Sequence, residues 1–128
     1  MILLDTCTLL WLASGQSRLS TRAKAAINQG RGVLYVSAIS AFEIALKHRK
    51  RRLTLPMAPE RWYPAVLKRH GVREIPIDGE IATRSALLPS VHGDPADRII
   101  LATAMIGNFV IVTPDEIFRE YRNVKVVW

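Results

Sequence analysis

Five of the chain's 11 acidic residues, Asp5, Glu43, Asp94, Asp97 and Asp115, stand where carboxylates can act together. Asp5 closes the apolar run MILL, Glu43 lies one or two turns into the helix that leaves VLYVS, Asp94 and Asp97 sit in HGDPADR, and Asp115 follows FVIVT after one proline. Carboxylates a few ångströms apart repel and raise one another's pKa, a cost that a hard divalent cation removes. Oxygen donors without Cys/His spacing point to Mg2+ or Mn2+ rather than zinc. In a basic protein, such a pocket suits a phosphodiester: the ions hold phosphoryl oxygens and acidify water, while Lys and Arg hold the flanking strand.

Each acid also has a structural alternative. Asp94 before Pro95 makes an N-cap, and Asp97 in the first turn favours the helix dipole. Glu43 can pair with Lys47 at i+4, and Asp115 can cap the segment that follows it. Asp5 is hardest to dismiss, because a carboxylate ending a buried strand is either ligated or hydrogen-bonded to backbone amides. Cys7 invites suspicion as a nucleophile, but no histidine base can be assigned to it, and it reads as a small packed side chain.

The elements that must position these residues follow from hydrophobic pattern and capping. Apolar runs of strand length occur at 1–4, 33–37 and 109–113, and further strands are expected near VREIPI at 72–77 and over the terminal VKVVW. Helical patterns fill the intervals: after Asp5, over STRAKAAINQG with a Ser20 cap and closing Gly30, and over SAFEIALKHRK with its own serine cap. Others run over PERWYPAVLKRHG despite Pro64, over DGEIATRSALL, from HGDPADR through Met105, and briefly over PDEIFREY. Residues 49–60 are the least regular and suit a loop or hairpin-like arm. Buried strands alternating with helices predict an α/β fold with a central, mostly parallel five-stranded sheet, covered on both faces and joined by right-handed crossovers. Ligands bind such sheets beyond the carboxyl ends of the strands, and all five acids fall on that rim.

The chain has 128 residues, 49% hydrophobic and 23% charged, which fits one domain over 1–128. Its 18 Lys+Arg against 11 Asp+Glu give a net charge of +7, so gathering five acids in one cleft leaves six among all the basic residues elsewhere. That field attracts polyanions. One cysteine excludes an internal disulfide framework, and the N-terminus lacks a basic leader and is too short to span a bilayer; a cytoplasmic protein is expected. Arg49, Lys50, Arg51 and Arg52 lie in HRKRR, where they either face solvent at a helix C-terminus or contact a nucleic acid. Arg61, Lys68 and Arg69 add to the basic density, and Trp11, Trp62 and Tyr63 can stack bases or pack.

Taken in order, LLDTCTLLWL, VSAISAFEIALKH, HGDPADRIILATA and VIVTPDEIF resemble the four sequence blocks of PIN-domain ribonucleases over nearly the whole chain, most nearly the VapC-type toxins of bacterial toxin–antitoxin modules. HGDPADR is similar to the H-x-D-P-x-D-R variant of the third block. The resemblance implies a three-layer α/β/α sandwich and an endoribonuclease using one or two Mg2+ or Mn2+ ions. Asp5, Glu43, Asp97 and Asp115 match the four acids, catalytic and metal-binding; Asp94, Thr6, Thr113 and Arg98 are auxiliary, Arg98 ordering Asp94 or touching phosphate. It also implies a homodimer silenced by a cognate antitoxin, with Trp11, Leu12 and the first helix as a docking surface. Two alternatives stand beside it. A receiver-like Mg2+-binding signalling domain shares the length and sheet but needs an adjacent acidic pair where this chain has Asp5 and Thr6. A non-catalytic basic RNA-binding module fits if the acids only cap helices.

Overall fold

The computed structural model describes residues 1–30, 33–89 and 93–128. Its five strands are β1 (Ile2–Leu4), β2 (Leu34–Ser37), β3 (Val72–Ile75), β4 (Val110–Val112) and β5 (Lys125–Val127). They form one sheet in the order β3-β2-β1-β4-β5, every neighbouring pair parallel. Receiver domains order their strands 2-1-3-4-5, so this topology sets that alternative aside. The chain builds outward from β1 through β2 to β3, then returns past β1 to β4. The strand order therefore reverses between β1 and β4, whose carboxyl ends frame the crevice where ligands bind in such sheets.

Among the described residues, six α-helices connect the strands: α1 (Thr6–Ala13), α2 (Thr21–Gln29), α3 (Ala38–Arg49), α4 (Pro59–His70), α5 (Gly79–Leu87) and α6 (Pro95–Gly107). Alternation along the strands divides the core into two layers. Leu4, Leu34, Val36 and Val112 join Leu9 and Leu12 of α1, Ile27 of α2, Ile44 of α3 and Trp62 of α4 on one face. Leu3 and Ile111 join Ile100, Leu101 and Ala104 of α6, with Phe118, on the other. The result is the expected α/β/α arrangement, with both faces of the sheet covered. Among the described residues, no helix is long and apolar enough to cross a membrane.

Local chemistry sets most boundaries. Ser20 caps α2 by accepting from Ala23 N at 3.0 Å, and Gly30 ends it where a β-carbon would meet Ile2 Cγ1 at 2.8 Å. α4 carries Pro64 and ends at Gly71, whose φ of 65° is left-handed. The segment PDEIFREY forms a 3₁₀ helix, Glu116–Glu120, and residues between α3 and α4 form turns rather than a hairpin.

One boundary differs from expectation in a way that matters to the site. α3 is capped by Ser37, the last residue of β2, which accepts from Ile39 N at 3.2 Å. Strand passes into helix with no loop. Ser40, expected as the cap, is instead a buried residue inside α3, three positions before Glu43.

Candidate active site

Asp5 leaves β1 at the reversal point and is 6% exposed. Its Oδ1 accepts from Thr8 N at 2.9 Å, which caps α1, and its Oδ2 accepts from Thr113 Oγ1 at 2.5 Å. Cys7 Sγ lies 3.4 Å from both oxygens. Burial pushes the Asp5 pKa above the ordinary carboxylate value, outweighing the hydrogen bonds that stabilise the anion. The Cys7 thiol is pushed up as well, by burial and then by the Asp5 charge, so it is not a thiolate poised for attack.

Thr113, 1% exposed, follows β4 and also accepts from Asp115 N at 3.1 Å. Asp115 is itself exposed and caps the 3₁₀ helix, its Oδ1 accepting from Ile117 N at 3.1 Å. Thr113 thus links the first and fourth matched acids through one hydroxyl.

The second branch of the site comes from α3. Glu43 is half-buried, and its Oε1 accepts from Thr6 Oγ1 rather than forming the i+4 ion pair with Lys47. Thr6 Oγ1 also lies 2.8 Å from Ser40 Oγ. Burial raises the Glu43 pKa; the Thr6 hydrogen bond and the Lys47 charge oppose the rise, while the charges of Asp94 and Asp5 add to it. Asp94 and Asp5 are therefore both in electrostatic reach of Glu43. Asp94 also caps α6, accepting from Ala96 N at 3.0 Å, so capping and a place at the acidic rim go together. Asp97 lies half-buried in the first turn of the same helix. His92 of HGDPADR lies outside the described residues.

Arg98 reaches from α6 to the end of α5. Its guanidinium donates to the carbonyls of Ser85, Ala86, Leu88 and Pro89 at 2.6–3.3 Å, gripping the C-terminal end of α5. Arg49, Lys50, Arg51 and Arg52 are exposed at the end of α3 and in the turn after it. Trp62 is buried in the core and so is Leu12, which removes it from any docking surface. Trp11 is half-buried, 5.6 Å from Trp128 and with Arg18 Cζ 5.7 Å above its ring. It borders a cavity of about 470 Å³ formed with Leu10, Arg18, Leu53, Leu55 and Trp62.

Among the described residues, no three acidic, histidine or cysteine side chains converge into a ready metal cage. The donor chemistry nevertheless fits a hard cation: Asp5 and Glu43 offer oxygen, and burial disfavours the charge on both. Ser40, read from the sequence only as a cap, stands beside the site. A hydroxyl three residues before Glu43, on the same helical face, was the available signal.

A family model described as the PIN domain matches residues 2–124. Ribonuclease VapC22 of Mycobacterium tuberculosis is 35% identical over 127 residues, covering 98% of this chain and 95% of that protein. Among solved structures, VapBC2 from Rickettsia felis, bound to a DNA fragment from its promoter, aligns with a TM-score of 0.71 over 98% of this chain and 97% of that one. At 14% identity, that likeness is one of fold. A toxin–antitoxin complex from Klebsiella pneumoniae is 26% identical, with a TM-score of 0.67 over 97% and 95% of the two chains.

Proposed function

The chain belongs to the PIN-domain family, and from that premise we propose that it is a metal-dependent endoribonuclease acting as the toxin of a toxin–antitoxin pair. The observation that carries this reading is Asp5: a buried carboxylate at the strand-order reversal, held by Thr8 and Thr113, whose negative charge the surrounding protein disfavours. Asp5, Glu43, Asp97 and Asp115 would hold one or two Mg2+ or Mn2+ ions. A bound ion supplies charge neutralisation at the scissile phosphate and acidity to water.

The rest falls to the chain's own groups. Glu43, anchored at Oε1 by Thr6, orients the attacking water and receives its proton. Thr113 keeps Asp5 in place, and Asp94 extends the negative rim toward Glu43. Arg49, Lys50, Arg51 and Arg52 hold phosphates flanking the cut, on a chain whose net charge of +7 draws RNA to it. Arg98 supports the site from outside by fixing α6 to α5.

In this reading the 128 residues form one cytoplasmic domain. The Klebsiella complex supports an antitoxin partner, and the cavity beside Trp11 and Arg18 suits an apolar segment carrying an acidic residue. The partner copy of a homodimer has apolar surface to cover at Phe42 of α3, 61% exposed, and Leu87 of α5, 77% exposed.

The test is cleavage of a mixed RNA pool and matched single-stranded DNA by the protein and its Asp97→Asn variant, with Mg2+, Mn2+ or EDTA. RNA is cut by the parent with either metal, and cutting stops with EDTA and in the variant. Equal RNA binding by both proteins with no cleavage under any metal would replace this reading with the binding-module alternative.

A further inference from the structure

Ser40 has no exposed surface, and among the described residues its one hydrogen-bond partner is the Thr6 hydroxyl, 2.8 Å away on α1. Serines and threonines inside helices often bond back to their own helix. Thr103 does so to Ile99 O at 2.7 Å, and Ser85 to Ala82 O at 2.7 Å. Ser40 instead reaches across to another element. A hydroxyl has one proton. Thr6 gives its proton to Glu43 Oε1, so at the contact with Ser40 it must accept, and Ser40 must donate.

We propose that Ser40 is a positioning residue for Glu43, acting through Thr6 along the one-way chain Ser40 Oγ–H to Thr6 Oγ1–H to Glu43 Oε1. The proposal rests on the nuclease reading and adds a residue to it. Donation from Ser40 fixes the Thr6 rotor and polarises its O–H, which tightens the bond to the carboxylate. Glu43 and Ser40 share α3, while Thr6 begins α1 directly after Asp5. The chain therefore sets the Glu43 carboxylate relative to Asp5 through a hydroxyl on each helix. It occupies Oε1, and among the described residues Oε2 has no hydrogen-bond partner.

A cycle of Ser40→Ala and Thr6→Val, singly and together, tests the order of action. Two readouts apply: kcat and KM on RNA, and Mn2+ binding without RNA, followed by the electron paramagnetic resonance of free Mn2+. Ser40→Ala lowers kcat by about tenfold and weakens Mn2+ binding, with the KM for RNA unchanged. With Thr6 already Val, Ser40→Ala changes neither readout further, because its route to Glu43 is gone. Ser40→Thr, which keeps the hydroxyl, restores most of the loss; Ser40→Cys, of similar size but a weaker donor, falls between. Equal effects of Ser40→Ala in both backgrounds, or a lowered melting temperature with unchanged kcat and Mn2+ binding, would overturn the proposal. If the parent cuts no RNA, the nuclease reading fails by itself, and the Mn2+ cycle still decides whether Ser40 acts through Thr6.

Discussion

Thr113 Oγ1 donates to Asp5 Oδ2 at 2.5 Å, tying the end of β4 to the end of β1 where the strand order reverses. The same oxygen accepts from Asp115 N, so one hydroxyl orders two acidic positions. Thr113→Val keeps the shape and removes both bonds. RNA cleavage falls by roughly 10- to 100-fold while the fold is retained, and Thr113→Ser recovers most of it. Steady-state cleavage beside far-ultraviolet circular dichroism checks this. A fully active Thr113→Val protein would remove the hydroxyl from the working site.

Asp5 and Glu43 both have raised pKa values, chiefly from burial. The folded protein therefore holds these protons more tightly than the unfolded chain does. Without divalent cations, this contribution favours folding below the unfolded carboxylate pKa, near pH 4, and is lost as pH rises through the raised folded values. Asp5→Asn removes the buried charge yet keeps a side-chain oxygen able to cap α1. It melts several degrees above the parent at neutral pH in EDTA, and the gap narrows toward pH 3. Added Mg2+ narrows it too, by stabilising the parent. A variant that melts lower than the parent at neutral pH in EDTA contradicts this account.

The central strands β1, β2 and β4 were legible because parallel strands buried on both faces read as unbroken apolar runs, and Asp5 was legible because it ends one of them. Side-chain partners were less so. Nothing in SAFEIALKH tells that α3 starts directly from Ser37 and turns Ser40 inward, since serine caps are interchangeable until the tertiary fold chooses one. Glu43 and Lys47 carry the spacing of a surface pair, but a threonine 37 positions away in sequence takes the carboxylate. Arg98 follows two aspartates and reads as part of an acidic site. What the local sequence does not tell is that packing between α5 and α6 also brings the end of α5 to its guanidinium.

Those bonds predict a contribution of Arg98 to stability. Its planar fork meets several carbonyls at the C-terminal end of a helix, where cations are favoured. Arg98→Lys keeps the charge but cannot make the same set of bonds, and it loses about 1–3 kcal/mol of unfolding free energy. Urea denaturation measures the loss. The kcat per folded molecule stays within about twofold of the parent; a collapse in kcat without loss of stability would place Arg98 on the substrate.

On the nuclease reading, Lys47 stands where RNA would pass the acidic rim. It stands one turn beyond Glu43 on α3, is exposed, and its charge acts on both Glu43 and Cys7. Lys50 lies three residues further on the same stripe, so the two ammonium groups lead away from the acids along the helix. A lysine in that position attracts a phosphate next to the scissile one without entering the bond-breaking step. Lys47→Gln should therefore raise the KM for RNA several-fold, leave kcat within about twofold, and reduce the salt dependence of binding by about one unit of log–log slope. Lys47→Arg should preserve all three. Cleavage kinetics at several KCl concentrations separate the possibilities: a fall in kcat at unchanged KM would mean that Lys47 acts on the reacting carboxylates rather than on the strand that they cut.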